Sequence, residues 1–151
     1  MASGPMPSLT DALTSPEKKA EVIEDCLALI DAEVADKGGL SGLAIKAGYA
    51  AIKGIRPGFV KHVVTDLLPE FAAALDPIYQ DGKTAGKSAP DFFAANASRV
   101  ADALLAITDA KAQKAKSAVV KSTYEKLRGS AKKNVEAAVP RLAKMVEKHA
   151  G

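Results

Sequence analysis

The chain has no tryptophan and only three tyrosines and four phenylalanines in 151 residues. The usual aromatic anchors of ligand pockets and the stacking platforms of single-strand nucleic-acid binders are therefore scarce, and the core must be aliphatic. A single cysteine, Cys26, excludes an intrachain disulfide and fits a reducing, cytoplasmic setting. No run reaches the about 18 apolar residues of a spanning helix. The opening MASGPMPSLTDAL lacks the charged-then-apolar order of a signal peptide. Residues 1–8 read as a disordered tail, with Met6 a second candidate start after Met1–Pro5, and residues 9–151 as one helical domain. Strand signals are missing too, because β-branched residues nowhere alternate with polar ones over a strand length.

What is present is helical. The hydrophobic share of 48% and charged share of 26% suit a globular chain with one core. Ser15-Pro16-Glu17 predicts a helix start: a Ser cap, a Pro whose absent N–H costs nothing in the first turn, and an acid facing the positive helix end. That helix runs to about Lys37 and stops at Gly38-Gly39, with Ile23, Cys26, Leu27, Ile30 and Val34 as its apolar stripe. Cys26 is thereby assigned to packing and not to nucleophilic chemistry.

From Gly38 to Gly58 the chain is largely Gly and Ala, with Ser41 as a cap. On a helical period Ile45, Ile52 and Ile55 share a broad apolar face, and Lys46, Tyr49, Lys53 and Arg56 line the opposite strip. Such a helix is expected in the bundle interior, where close backbone approach offsets the roughly 1 kcal/mol that each interior Gly costs.

Pro69 and Asp76-Pro77 predict breaks into short, bent helices, and DGKTAGKSAP, residues 81–90, predicts the longest loop. A short PDFFAA segment follows, then helices over about Ser98 to Lys114 and Ser117 to Arg128. A last helix opens at Ser130 and carries Pro140. The expected fold is all-α, a compact bundle of about six to eight short helices, several punctuated by proline.

The net charge of +3 conceals a segregation. Residues 17–36 hold seven acids against Lys18 and Lys19, whereas residues 111–151 hold eleven bases against Glu125, Glu136 and Glu147. Lys114, Lys121, Arg128 and Lys132 could form a stripe that, with the Lys46, Lys53 and Arg56 strip, meets nucleic-acid or membrane phosphates. Pairing of the acidic helix with the basic ones is the favoured reading, since the bases interleave with core positions as on any solvated helix face.

Motifs with chemical content are few. DGKTAGKS, residues 81–88, looks like a phosphate-binding loop, but Asp81 stands where its first Gly is needed and no strand precedes it. His62, Asp66 and Glu70 stack at i, i+4 and i+8, with Pro69 interrupting the geometry and His149 the only other histidine; a solvated face outweighs a metal or acid/base site. Asn96-Ala97-Ser98 matches a glycosylation acceptor and reads as a helix start. There is no nucleophile–base pair, and no catalytic, cofactor or metal residue is assigned.

The blocks EVADKGGLSG, IKAGYAAIK, LLPEFAAALDPIY, ADALLAITDAKA and VVKSTYEKLRGSAKK resemble a small bacterial family of all-helical proteins of unassigned function, found largely in actinobacteria. The resemblance covers nearly the whole chain after Ser8. It implies a single cytoplasmic helical domain and carries no catalytic residue. A weaker likeness is to the phasins, the Ala/Lys-rich coat proteins of polyester granules, although the many caps and breakers here oppose extended coat helices.

The expectation is a non-enzymatic binding or protein-interaction module, with Lys46, Tyr49, Lys53 and Arg56 as the candidate contact strip and no cofactor. Two alternatives stand beside it. One is an anion or nucleic-acid binder whose affinity falls with salt. The other is a binder of an apolar, lipid-like ligand or granule surface, in which the Gly/Ala helix lines a cavity.

Overall fold

A computed structural model describes residues 8–150, the side chains of Leu40 and Ser41 excepted. It holds seven α-helices and, among the described residues, no strand: α1 Leu9–Thr14, α2 Lys19–Asp36, α3 Gly39–Lys53, α4 Phe59–Thr84, α5 Ala89–Ala95, α6 Ala97–Lys114 and α7 Ala118–Ala150. The all-α bundle is as the periodicity indicates. The tail expected over residues 1–8 lies, but for Ser8, outside the described residues. Ser8 itself caps α1, accepting from the Asp11 N–H at 3.0 Å.

Four helices form a ring. α2 packs on α4, α4 on α6, α6 on α7 and α7 on α2, while the diagonal pairs α2 with α6 and α4 with α7 make no backbone contact within 8 Å among the described residues. The short helices α1 and α5 plug one end. Phe93 of α5 and Leu9 of α1 are fully buried there with Leu13, Leu75, Val100 and Val146. The plug is fastened by Asp76, whose Oδ1 accepts from the Leu9 N–H at 2.7 Å. Asp76 thus caps the neighbouring helix and does not open a new one in its own chain segment.

The expected short, bent helices are corrected at two places. α4 runs unbroken through Pro69 and Pro77, and α7 through Gly129, Ser130 and Pro140. All three prolines lie on exposed positions, where water can take the carbonyl that loses its partner. Each interior proline costs about 3 kcal/mol. Against this, α4 buries Val64, Leu67, Leu68, Leu75, Ile78 and Tyr79 on both sides of its prolines, at about 1.5–3 kcal/mol per side chain. Burial wins. Gly129 is a weaker breaker at about 1 kcal/mol, and α7 continues past it against α3, α5, α6 and α2. Likewise the expected long loop shrinks to residues 85–88, because α4 extends to Thr84 and Ser88 caps α5 through the Asp91 N–H at 3.3 Å.

The Gly/Ala helix is the largest correction. α3 lies on the outside, across α7, α2 and α4. Only Gly42 of its residues with described side chains is buried, and Leu43 is 65% exposed. Its first residue is Gly39, with Gly38 at the cap, so Ser41 falls inside the helix rather than ahead of it, and it ends at Lys53, before Arg56-Pro57-Gly58. Close approach does occur at two points, the first at Gly42, where a Cβ would stand 2.7 Å from the Lys37 backbone. A Cβ on Gly48 would stand 2.9 Å from Thr123 Cγ2 and 3.1 Å from Leu127 Cδ1 of α7, so glycine lets the two helices touch.

Candidate functional site

The ring is packed at one end only. The buried residues of α2 are Val22 and Ile23 at its start, those of α6 are Val100, Ala101 and Leu105 in its first half, and those of α7 begin at Val139. Beyond them the bundle axis is hollow. A cavity of about 450 Å³ lies among Leu29, Ile30 and Val34 of α2, Ile45 of α3, Val64 and Phe71 of α4, Leu104 of α6, and Leu127 and Val135 of α7. That is about three times the roughly 150 Å³ void that admits benzene, and within the range of small-molecule sites. Of the described side chains of α3, Ile45 alone lines the cavity.

Five polar residues join this wall, Glu33, Lys37, Thr108, Tyr124 and Asn134. Each is committed within the protein. Glu33 pairs with Lys37 at 3.3 Å and with Arg141, which also holds Asp36 at 2.5 Å. The Tyr124 hydroxyl donates to Asp109 and lies 2.7 Å from the Thr108 hydroxyl. Arg128 grips the same carboxylate with two N–H groups, at 2.8 and 3.1 Å. Arg128 first and Tyr124 second hold the Asp109 carboxyl below its ordinary range, while burial, then Asp109, pushes the Tyr124 phenol up. Asn134 donates to Ser130 at 3.4 Å. The chemistry offered to an occupant is therefore apolar contact, with hydroxyl groups at one edge.

Cys26 also faces the cavity, with Sγ 3.6 Å from Met145 Sδ. Burial, then Asp25, pushes its thiol up to about 11. Little thiolate is then present at neutral pH, and alkylation is expected to be slower than for a free cysteine by on the order of tenfold, since the more basic thiolate is the better nucleophile. A cavity occupant should slow it further. Iodoacetamide labelling followed by intact mass, with and without a fatty acid, checks both; a fast rate indifferent to fatty acid would contradict this placement.

The candidate strip lies on the other side of α3. Lys46, Lys53 and Arg56 are exposed, and Tyr49 is half-buried with its hydroxyl donating to Asp31 at 2.6 Å. Lys53 sits 5.0 Å over the Tyr49 ring and Arg56 5.4 Å over Phe59. Lys46, Tyr49 and Lys53 lie on α3 and Arg56 beyond its end, and none of the four lines the cavity. The phosphate-loop lookalike has no cradle: Asp81 and Gly82 are helical, Asp81 pairs with Arg99 at 2.8 Å, and Gly82 is buried under Phe92. His62 meets Asp66 at 3.3 Å on an exposed face.

A model of one protein family matches residues 9–150. The chain belongs to the family of unknown function DUF6918. No curated protein and no solved structure matches it. No helix among the described residues is long and apolar enough to cross a membrane.

In this DUF6918 protein the acidic and basic segments do pair, across α2 and the second half of α7. Lys148 Nζ lies 2.9 Å from Asp25 and 3.3 Å from Glu21, and the buried His149 Nε2 lies 2.7 Å from the same Asp25 oxygen. The stripe Lys114, Lys121, Arg128 and Lys132 is split, since Arg128 holds Asp109 and Lys132 holds Asp102 at 3.1 Å. The Glu21, Asp25 and His149 cluster escaped sequence reasoning. Its only signal was the pair of acids one turn apart facing an acid-poor end. Lys148 already supplies the cation there.

Lys148, then His149, hold the Asp25 carboxyl below its ordinary value. A carboxylate depressed in the folded state contributes stability that is present above about pH 4 and lost as pH falls through the folded value. Asp25→Asn is therefore expected to lower the urea midpoint at neutral pH and to converge with the parent in acid. Parallel curves across the pH range would overturn this assignment.

Proposed function

We propose that the protein is a non-enzymatic binding protein that takes an apolar, lipid-like ligand into the hollow half of its helical ring. One observation carries the reading: about 450 Å³ of aliphatic-walled space lies where a bundle of this size would place its core. Native interiors leave few gaps larger than a water molecule, so an aliphatic-walled pocket of this size, open on one side to solvent, favours occupation by an apolar ligand. The internally paired polar groups of the wall favour a ligand recognised by shape and apolar area over one recognised by charge. A bacterial, cytoplasmic setting remains our expectation, from the lone Cys26 and the family resemblance.

The test has two arms. Organic extraction of the purified protein, read by mass spectrometry, is expected to release a lipid-like molecule. Protein stripped of it is expected to take up cis-parinaric acid with a rise in fluorescence, displaced by unlabelled fatty acid. An empty extract together with no uptake would end this reading.

A further inference from the structure

On the second half of α7, Arg141 and Lys148 are tied to α2, as described above. Lys46, Lys53 and Arg56, on and just after α3, meet no carboxylate among the described residues, and residues 39–58 contain no acid. Around the corner from α6 to α7 the same holds for Lys111, Lys114, Lys116, Lys121 and Lys126, with Glu125 the one acid in that stretch.

These two groups sit on neighbouring helices, because Gly48 lays α3 against α7 at Thr123 and Leu127. Among the described residues the two large hydrophobics left exposed are Leu43 on α3, at 65%, and Val119 on α7, at 45%. Both stand amid the unpaired bases. The inner sides of the same helices, at Ile45 and Leu127, wall the cavity.

We propose that this end of the molecule, the outer face of α3 with the start of α7, docks on an anionic lipid bilayer. Leu43 and Val119 enter the headgroup boundary and the lysines face the lipid phosphates. Charge complementarity carries the proposal: the bases of this surface outnumber its acids, Asp31 beside Tyr49 and Glu125, and form no ion pair among the described residues, and an anionic leaflet attracts such basic clusters. Nucleic acid would suit the charge but not the exposed aliphatic pair, and it would ask for stacking aromatics, whereas Tyr49 is tied to Asp31. The choice of partner rests in part on the cavity reading, since a bilayer is where a lipid-like ligand is found.

The experiment is flotation of the full chain with vesicles of phosphatidylcholine alone and of phosphatidylcholine with phosphatidylglycerol. Expected is binding to the anionic vesicles only, weakening as salt rises. The triple variant K46Q/K53Q/R56Q should partition less by on the order of 100-fold. Leu43→Ser with Val119→Ser should weaken binding while leaving its salt dependence. All five substitutions are at exposed positions, and far-UV circular dichroism checks that each variant is folded. Equal binding to neutral vesicles, no binding, or a triple variant that floats like the parent would overturn the proposal. So would tighter binding to a single-stranded oligonucleotide than to the anionic vesicles. Docking is also scored on protein with its cavity filled by Ala131→Phe. A filled protein that still floats separates this surface from ligand uptake, and failure of either is seen without the other.

Discussion

Ala131→Phe, alone or with Ala138→Leu two turns along the same face of α7, is expected to raise stability and abolish ligand uptake together. Both alanines line the cavity. In a filled core an added ring forces neighbours off their rotamers and costs typically about 1–3 kcal/mol. Here the ring enters open apolar space, and cavity filling of this kind stabilises by about 0.5–2 kcal/mol. The sign of the change therefore reports whether the space exists. Its effect on binding runs the other way. Phenyl atoms standing where ligand atoms would lie remove at least about 1.4 kcal/mol of contact, tenfold in Kd. Urea unfolding and cis-parinaric acid titration measure the two effects. A destabilised variant with parent-like uptake would refute the cavity and the proposed function at once.

The opposite end should respond in the opposite sense. Phe93 is fully buried in the plug between α4, α6 and α7. Phe93→Ala is expected to cost about 3–5 kcal/mol, made up of lost transfer energy and the void left behind. Against a total stability of about 5–15 kcal/mol this brings the protein close to unfolding, and thermal melts should fall by roughly 10–15 °C. A loss under about 1 kcal/mol would mean that α5 is not a structural plug. Substitutions on the outer face of α3 should stay within about 0.5 kcal/mol of the parent.

The contrast between these ends marks how far sequence reasoning reaches. α2 and α6 were legible from their apolar stripes and, for α2, from the stop at Gly38-Gly39. The expected Ser15 cap is not formed: α2 begins at Lys19 after Lys18, which makes no side-chain cap, and Ser15 closes α1 instead. The continuity of α4 and α7 was not, since a proline or glycine acts through local cost alone, whereas the outcome depends on what the flanking residues bury. Around Pro69 and Pro77 that burial is against other helices, five of which pack on α4. The Gly/Ala helix misled for a related reason. Small residues permit close approach, but α3 uses that permission only at Gly42, against the Lys37 backbone, and at Gly48, against α7, while its alanines face water. Lys46 and Lys53 share the helical spacing of α3, whereas Arg56 lies beyond its end at Lys53, where helical spacing no longer sets its face.

The cavity was invisible for a deeper reason. Ile30, Val34, Val135 and Leu142 mark inward faces by their periodicity whether or not the space between them is filled. Only the distances between helices decide the volume. Acid and base segregation likewise announced a pairing but not its membership: Arg141 and Lys148 meet α2, while Lys121 and Lys126 lie beyond its reach on the far half of α7.

The thinness of α3 as a cover has one more consequence. A helix of 15 residues with almost nothing buried gives up little apolar contact when it lifts, so its opening is far cheaper than unfolding of the ring. Its first residue is the left-handed Gly39, at φ 69°, and the connection that follows the helix closes at the left-handed Gly58, φ 75°, ahead of α4. Its amides should be the first of the long helices to exchange with deuterium, and the same breathing gives an occupant a way in and out while the plugged end keeps the fold.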